Sequence, residues 1–415
     1  MLNDCMKKRD VVLFIITVIF VYIIYRVIMT SLLLSSPIVK QDDLINNSQV
    51  SAEKLYDESW RTVKKNYIDS TYNSQNWSVW RERYKNKLKT DEDARVAIET
   101  MLASLDDIYT RFLSKTEYAE QYNSIDSHIT GIGVNIMNKS GQTVVYSVIE
   151  GTPAQKSDIR ANDIIMYVDG VNVSGLDISK VAEKVRGLEG SIVTLKIKRG
   201  KEIITKKIVR EKIEIKSVES SIKGNNIGYI KIKSFIGSNT ASEFVSALKN
   251  IDSTKGLILD LRGNTGGLLA NAVIVANLFI SEGKIVSIVS KNGKRHDITA
   301  QSKVPLVTKP TVVLVDESSA SASEILSGAL KDNKKAVLVG NKTFGKGLVQ
   351  QIVPLPNGTG INITIAKYLT PNGTDINKKG IEPDYKVKYT FADMIKKNDT
   401  QLKKAEEVLD KMCSN

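Results

Sequence analysis

The segment TVVLVDESSASASEILSGALKD, residues 311–332, decides the fold. Its opening TVVLVD is apolar and β-branched, the composition of a buried strand, and EILSGAL reads as a helix. Between them, Ser318 to Ser323 are small residues only. A small-residue turn from strand to helix lets a hydroxyl stand exposed, and the helix start aims backbone N–H groups at incoming negative charge. Read by itself, Ser321-x-x-Glu324 is also a capping box, a common structural device.

The alternation continues on both sides. From Glu214 onward strands are expected at NIGYIKIKSF, GLILDLR, KIVSIVS, AVLVG, LVQQIVPL and INITIAKYL, and helices at TASEFVSALKN and LLANAVIVANLFI. Buried strands flanked by helices indicate an α/β core over residues 214–390. Residues 391–412 read as a final amphipathic helix.

Two further segments of this core carry chemistry. GNKTFGKGLVQ (340–350) is nearly a phosphate-binding loop, with LILD (257–260) resembling the acidic strand that accompanies one. A phosphate loop, however, needs Ser or Thr after the lysine and then a helix; here Gly347 follows Lys346, and LVQQIVPL is strand-like. Along such a strand, residues at i and i+4 share a face, so Gln350 can hold the Lys346 amine. Apolar neighbours lower a buried lysine's pKa, and a neutral lysine can take a proton from a serine hydroxyl. The alternative is a solvated lysine on an edge strand. DLRGNTGG (260–267) ends an apolar strand with paired glycines, which permit the close backbone approach an oxyanion hole needs. A plain turn is the bland reading. Histidine decides between bases. The chain has two, His128 at the start of a β-rich module and His296 in the polar KNGKRHD. Neither sits in a Gly/Ser strand-end setting, so a serine hydrolase here needs lysine as its base. Two histidines, with Cys5 and Cys413 at opposite ends, also argue against a zinc site and a disulfide framework.

Upstream, residues 128–213 hold short strand-like runs (TVVYSVI, DIIMYVDG, SIVTLKIKR, IITKKIV) around one helix, DISKVAEKVRG: a small β-rich module. Residues 51–125 are helical in pattern, with Thr90 or Asp91 placed to cap a helix through Ala103 and Trp60, Tyr67, Trp77 and Trp80 as core. Residues 35–50 are a polar tether. At the amino end, Lys7-Lys8-Arg9 precede the apolar run 11–34, broken by Arg26. We expect a transmembrane signal-anchor there, with residues 1–10 cytoplasmic and the body outside, since positive residues stay inside. A cleavable signal peptide gives the same topology. The net charge of +13 is spread through the body, with no aromatic-interleaved basic stripe, which excludes a nucleic-acid groove.

Taken together, SASASE, TFGKGLVQ, DLRGNTGG and MLASLDDIYTRFL (101–113), in that family's order and spacing, resemble the C-terminal processing peptidases, or tail-specific proteases. The resemblance covers roughly residues 50–390. It implies an α+β multidomain chain whose protease core is α/β and crotonase-like and whose β-rich module is a PDZ domain. It implies Ser321 as nucleophile, Lys346 as general base 25 residues on, and Gln350 orienting the lysine. The backbone N–H groups of Ala322 and of Gly267 or Gly266 would stabilise the oxyanion. Gly131-Ile132-Gly133-Val134 would clasp a terminal carboxylate, the peptide adding as an edge strand. The expected substrates are proteins or peptides with exposed apolar C-termini. Neither metal nor nucleotide is required. The PDZ domain would gate the site, with Arg186 a candidate relay, and the helical unit and last helix are plausible homodimer contacts. A different class, a catalytically silent PDZ scaffold at the membrane, stands against this; retention of Ser321, Lys346 and Gln350 together argues against it. Ser318 and Thr265 replace the usual Gly and Pro, and Asp158 and Asn162 stand at PDZ turn positions that commonly hold Gly.

Overall fold

The computed structural model describes residues 50–124, 128–214, 216–302, 304–396 and 398–414. The segments expected to form a cytoplasmic tail (1–10) and a membrane anchor (11–34), and nearly all of the expected tether, lie outside the described residues. Among the described residues, no helix is long and apolar enough to cross a membrane. The chain folds as two units, residues 123–216 and the residues on either side of them.

The larger unit is built on a six-stranded sheet in the order Val218–Lys223, Ile227–Ile232, Gly256–Asp260, Thr311–Val315, Val337–Gly340, Tyr385–Lys386. The first pair is antiparallel and the rest are parallel. Every residue of Gly256–Asp260 and Thr311–Val315 is buried. Both faces of these strands are covered, so they read as unbroken apolar runs and not as alternation. Helices Thr240–Asn250, Leu269–Asn277 and Ala322–Asp332 pack on one face through Leu257, Leu259, Val313 and Val315. Helix Thr400–Ser414 covers the other through Ile258, Val312 and Leu314. The carboxyl-terminal stretch is thus not one helix. Phe391–Ile395 and Thr400–Ser414 are separate, because Asp399 stops the chain and caps the second by accepting the Leu402 N–H at 2.9 Å.

A second, antiparallel sheet of this unit runs Arg111–Leu113, Gly360–Leu369, Lys284–Ser290, Arg295–Thr299, with Leu348–Pro354 also paired to Gly360–Leu369. The strand Arg111–Leu113 was not expected in a helical stretch. Helices Ala52–Asn66, Ser78–Arg83 and Asp91–Ala103 bury Trp60, Tyr67, Trp77 and Trp80 in one cluster. That cluster includes Leu355, Ile361 and Ile363, so the amino-terminal helices share their core with the second sheet. Thr90 caps Asp91–Ala103 in a reciprocal capping box with Asp93.

The smaller unit is a sheet in the order Val134–Lys139, Gln142–Val148, Ile164–Val168, Ile192–Arg199, Glu202–Val209, leaving Val134–Lys139 as an edge. Helix Ile178–Val185 packs over it through Val181 and Val185. Asp158 (φ 58°) and Asn162 (φ 71°) take the left-handed backbone that glycine would otherwise supply.

Candidate active site

Ser321 stands where strand Thr311–Val315 has turned and helix Ala322–Asp332 begins. Its φ of 55° with ψ of −114° is a conformation that a residue with a Cβ adopts only under constraint. The constraints are visible. The Ser321 N–H donates to Glu324 Oε2 at 3.0 Å, and its carbonyl accepts from the Ile325 N–H (2.9 Å), with the Tyr368 hydroxyl oxygen 3.2 Å away. Ser318, at its exposed place in this turn, keeps a negative φ, as Thr265 does in the glycine turn, so neither departure strains the backbone.

Glu324 is fully buried and is the centre of the arrangement. Its Oε1 accepts from Thr343 Oγ1 (2.6 Å) and the Gly345 N–H (2.7 Å). Its Oε2 accepts from the N–H groups of Ser321 and of Lys346 (2.9 Å), with the Tyr368 hydroxyl oxygen 3.5 Å away. A buried carboxylate is tolerable only when donors replace its water, and four do so here. One oxygen therefore holds the backbones of residues 321 and 346 together. The same bonds dispose of the phosphate-loop reading, because two N–H groups of that loop are already donated to an acid.

Lys346 lies before strand Leu348–Pro354, not within it, and the pairing register shifts between Val349 and Gln350. Lys346 and Gln350 therefore do not share a strand face as the i, i+4 spacing predicts. Gln350 Nε2 reaches Thr364 Oγ1 at 3.5 Å. The Lys346 Nζ lies 4.9 Å over the ring of Tyr109, and among the described residues no hydrogen bond joins it to Ser321. Burial lowers its pKa below the ordinary lysine value, with the Glu324 carboxylate opposing. Tyr368 fastens the loop from the other side, donating to the Lys346 carbonyl.

The glycine turn meets Ser321 directly. A Cβ on Gly266 (φ 102°) would fall 2.8 Å from Ser321 Cβ and 3.0 Å from the Ala322 nitrogen. The Gly266 N–H is donated to Asn264 Oδ1 at 2.9 Å, while the N–H groups of Gly267 and Ala322 have no acceptor among the described residues. Asn264, fully buried, also accepts through its carbonyl from Ala320 N–H and Ser323 Oγ, locking the two turns together. Behind them, Arg262 is held by Asp260 (2.7 Å) and Asp399 (2.8 Å).

In the smaller unit, a groove of about 280 Å³ lies between edge strand Val134–Lys139 and helix Ile178–Val185. Gly131, Ile132, Gly133 and Val134 line one side, and Ile178, Ala182, Val185 and Arg186 the other. Gly133 (φ 84°) has no room for a side chain, since a Cβ would fall 2.3 Å from Thr152. Arg186 is exposed and has no ion-pair partner among the described residues.

Sequence reasoning missed Glu324 as more than a cap, and missed Tyr109 and Tyr368. For Glu324 a signal existed: an acid inside a helix whose other neighbours are apolar or small. For the two tyrosines there was none: Tyr109 lies more than 200 residues before Ser321, and Tyr368 reads as one more aromatic of a buried strand.

Comparison with known proteins matches residues 226–387 to peptidase family S41, residues 144–199 to the PDZ domain and residues 49–94 to the tricorn protease C1 domain. The carboxyl-terminal-processing protease of Synechocystis sp. is 37% identical, over 86% of this chain and 86% of its own length. The carboxy-terminal processing protease CtpA of Bacillus subtilis is 40% identical over 72% of this chain and 65% of its own. Among solved structures, a photosystem II D1 C-terminal processing protease is 34% identical with a TM-score of 0.56, covering 81% of this chain and 93% of that one. The chain belongs to peptidase family S41 and to its carboxyl-terminal processing proteases, and it is a serine-type peptidase with a PDZ domain.

Proposed function

We propose that this peptidase cuts proteins near apolar C-termini with a Ser321–Lys346 dyad, after its PDZ groove has taken up the C-terminus. The neutral Lys346 amine removes the Ser321 Oγ proton as Oγ attacks the scissile carbonyl. The N–H groups of Ala322 and Gly267 donate to the oxyanion; Gly266 is the poorer candidate because its N–H is already engaged. The intermediate collapses as the Lys346 ammonium protonates the departing amine. Water, deprotonated by the same lysine, then releases the acyl group from Ser321. Gln350, whose amide reaches the Thr364 hydroxyl, is the residue proposed to orient the lysine.

The observation that carries this reading is the shared Glu324 oxygen, which brings residues 321 and 346 together beside a glycine turn with a free N–H. In the PDZ unit, an apolar groove beside an unpaired edge strand fits an added peptide strand. Capture there raises the concentration of the adjoining chain at the dyad. Arg186, at the rim of the groove, is the proposed relay that makes cleavage depend on its occupancy. The run 11–34 behind Lys7-Lys8-Arg9 would anchor the enzyme with its body outside the membrane.

The test is digestion of an unfolded protein ending in apolar residues, without ATP, by the full chain and by its Ser321→Ala and Lys346→Ala variants. Cutting by the unmodified protein alone is expected. Cutting retained by either variant would remove the dyad.

A further inference from the structure

Tyr109 comes from the amino-terminal segment, yet its ring lies under the Lys346 Nζ. Its position is firmly set. The Tyr109 N–H donates to Asp107 Oδ1 (3.0 Å), and its carbonyl accepts from Asn362 Nδ2 (3.2 Å). The neighbouring Thr110 Oγ1 donates to Asp107 Oδ2 (2.7 Å) and accepts from the Thr364 N–H (3.1 Å). The loop is thus fastened to strand Gly360–Leu369, immediately ahead of the strand Arg111–Leu113 that pairs with it. The Tyr109 hydroxyl has no hydrogen-bond partner among the described residues, so the face of the ring is what this side chain offers the lysine.

An aromatic face attracts an ammonium and does little for a neutral amine. We propose that Tyr109 is a positioning residue whose ring is the resting seat of the protonated Lys346, and that proton loss to water frees the amine to turn to Ser321. This rests on the dyad reading above. Glu324 from helix Ala322–Asp332 accepts the Lys346 main-chain N–H and its charge acts on the amine, Tyr368 from strand Gly360–Leu369 donates to the Lys346 carbonyl, and the Tyr109 ring, with Asp107 behind it, faces the amine itself. Glu324 and the ring both favour the charged form, while burial disfavours it. The amino-terminal segment thereby sets the pH at which the base becomes available.

Ring fluorination tests this without changing packing. The full-length protein is made with Tyr109→Phe, then with 4-fluoro-, 3,5-difluoro- and 3,4,5-trifluorophenylalanine at position 109, each checked for folding by near-ultraviolet circular dichroism. kcat/KM for a peptide with an apolar C-terminus is measured against pH. Each fluorine withdraws charge from the ring face, so the acid limb should move stepwise to lower pH, by about one pH unit across the series. Tyr109→Phe, which keeps the face, should leave the limb in place. A limb that stays fixed across the series, or moves upward, overturns the seat. If Lys346→Ala keeps cutting with the same acid limb, it is the dyad itself that has failed, a result distinct from a fixed limb in an enzyme that Lys346→Ala inactivates.

Discussion

Replacing Glu324 by glutamine changes almost nothing in shape and should cost most of the activity. The carboxylate accepts from four donors, three of them backbone N–H groups. An amide has one oxygen, so its NH2 must face donors on one side. Facing Ser321 and Lys346, it would orphan two backbone N–H groups. Facing Thr343 and Gly345, it would orphan one, since the threonine hydroxyl could rotate; that hydroxyl oxygen already accepts from the Ile381 N–H at 2.7 Å. Either way one or two charge-assisted bonds are lost and the rest weaken, about 2–5 kcal/mol in total. The loop carrying Lys346 then loses its tie to the turn carrying Ser321. A displacement on the order of 1 Å there lowers kcat by roughly a hundredfold. The pH profile supplies a second reading. Glu324 favours the lysine ammonium, so its removal leaves only the Tyr109 ring to oppose burial and the acid limb of kcat/KM moves to lower pH. The assay is kcat and kcat/KM against pH on one apolar-tailed peptide, with a thermal melt for each protein. Full kcat with an unmoved limb in a folded Glu324→Gln protein would refute the reasoning.

Gly266→Ala places a methyl group 2.7 Å from the Ala320 carbonyl oxygen and 2.8 Å from Ser321 Cβ at a φ of 102°, so cleavage should fall at least a hundredfold while the PDZ groove still binds peptide by fluorescence anisotropy. Ala182→Lys sets an ammonium in the wall of the groove; affinity for an apolar C-terminal peptide should drop at least tenfold by the same anisotropy measurement, with no change in hydrolysis of a small ester. Burial raises the Asp399 pKa, but its hydrogen bonds from Arg262 and the Leu402 N–H outweigh this and hold it below the ordinary carboxylate value. Its contribution is therefore complete above the unfolded-state pKa near 4 and fades as pH falls toward the folded value; Asp399→Asn should cost about 1 kcal/mol at pH 7, discounted for partial exposure, and the difference from the unmodified protein should shrink below pH 4 in urea titrations.

The α/β core was legible because its strands are buried on both faces and its helices begin and end on ordinary signals. KIVSIVS and TASEFVSALKN, for example, form a strand and a helix over their whole lengths. The paired turns at 260–267 and 316–323 were legible as well, since a series of small residues after a buried strand suits a tight turn and packs poorly anywhere else. The rest depended on tertiary contacts. Nothing within Arg111–Leu113 marks a strand; it is one because Gly360–Leu369 offers it an edge. The alternation used for Lys346 and Gln350 failed because Gly345 and Gly347 hold the lysine in a loop packed against Lys379, Gly380 and Asn377, ahead of a register shift. Glu324 looked like a cap because its nearest partner is local, whereas Thr343 and Gly345 come from a loop some twenty residues on.

Which side chain is acylated, and which amine makes that possible, can be read in one experiment. The protein would be mixed at pH 8 with an activated ester of an apolar peptide, quenched in acid and mapped by mass spectrometry, alongside Lys346→Ala. One acyl group on Ser321, absent from Lys346→Ala, is the predicted result. An adduct on any other residue, or acylation of Ser321 at an undiminished rate without the lysine, would contradict it.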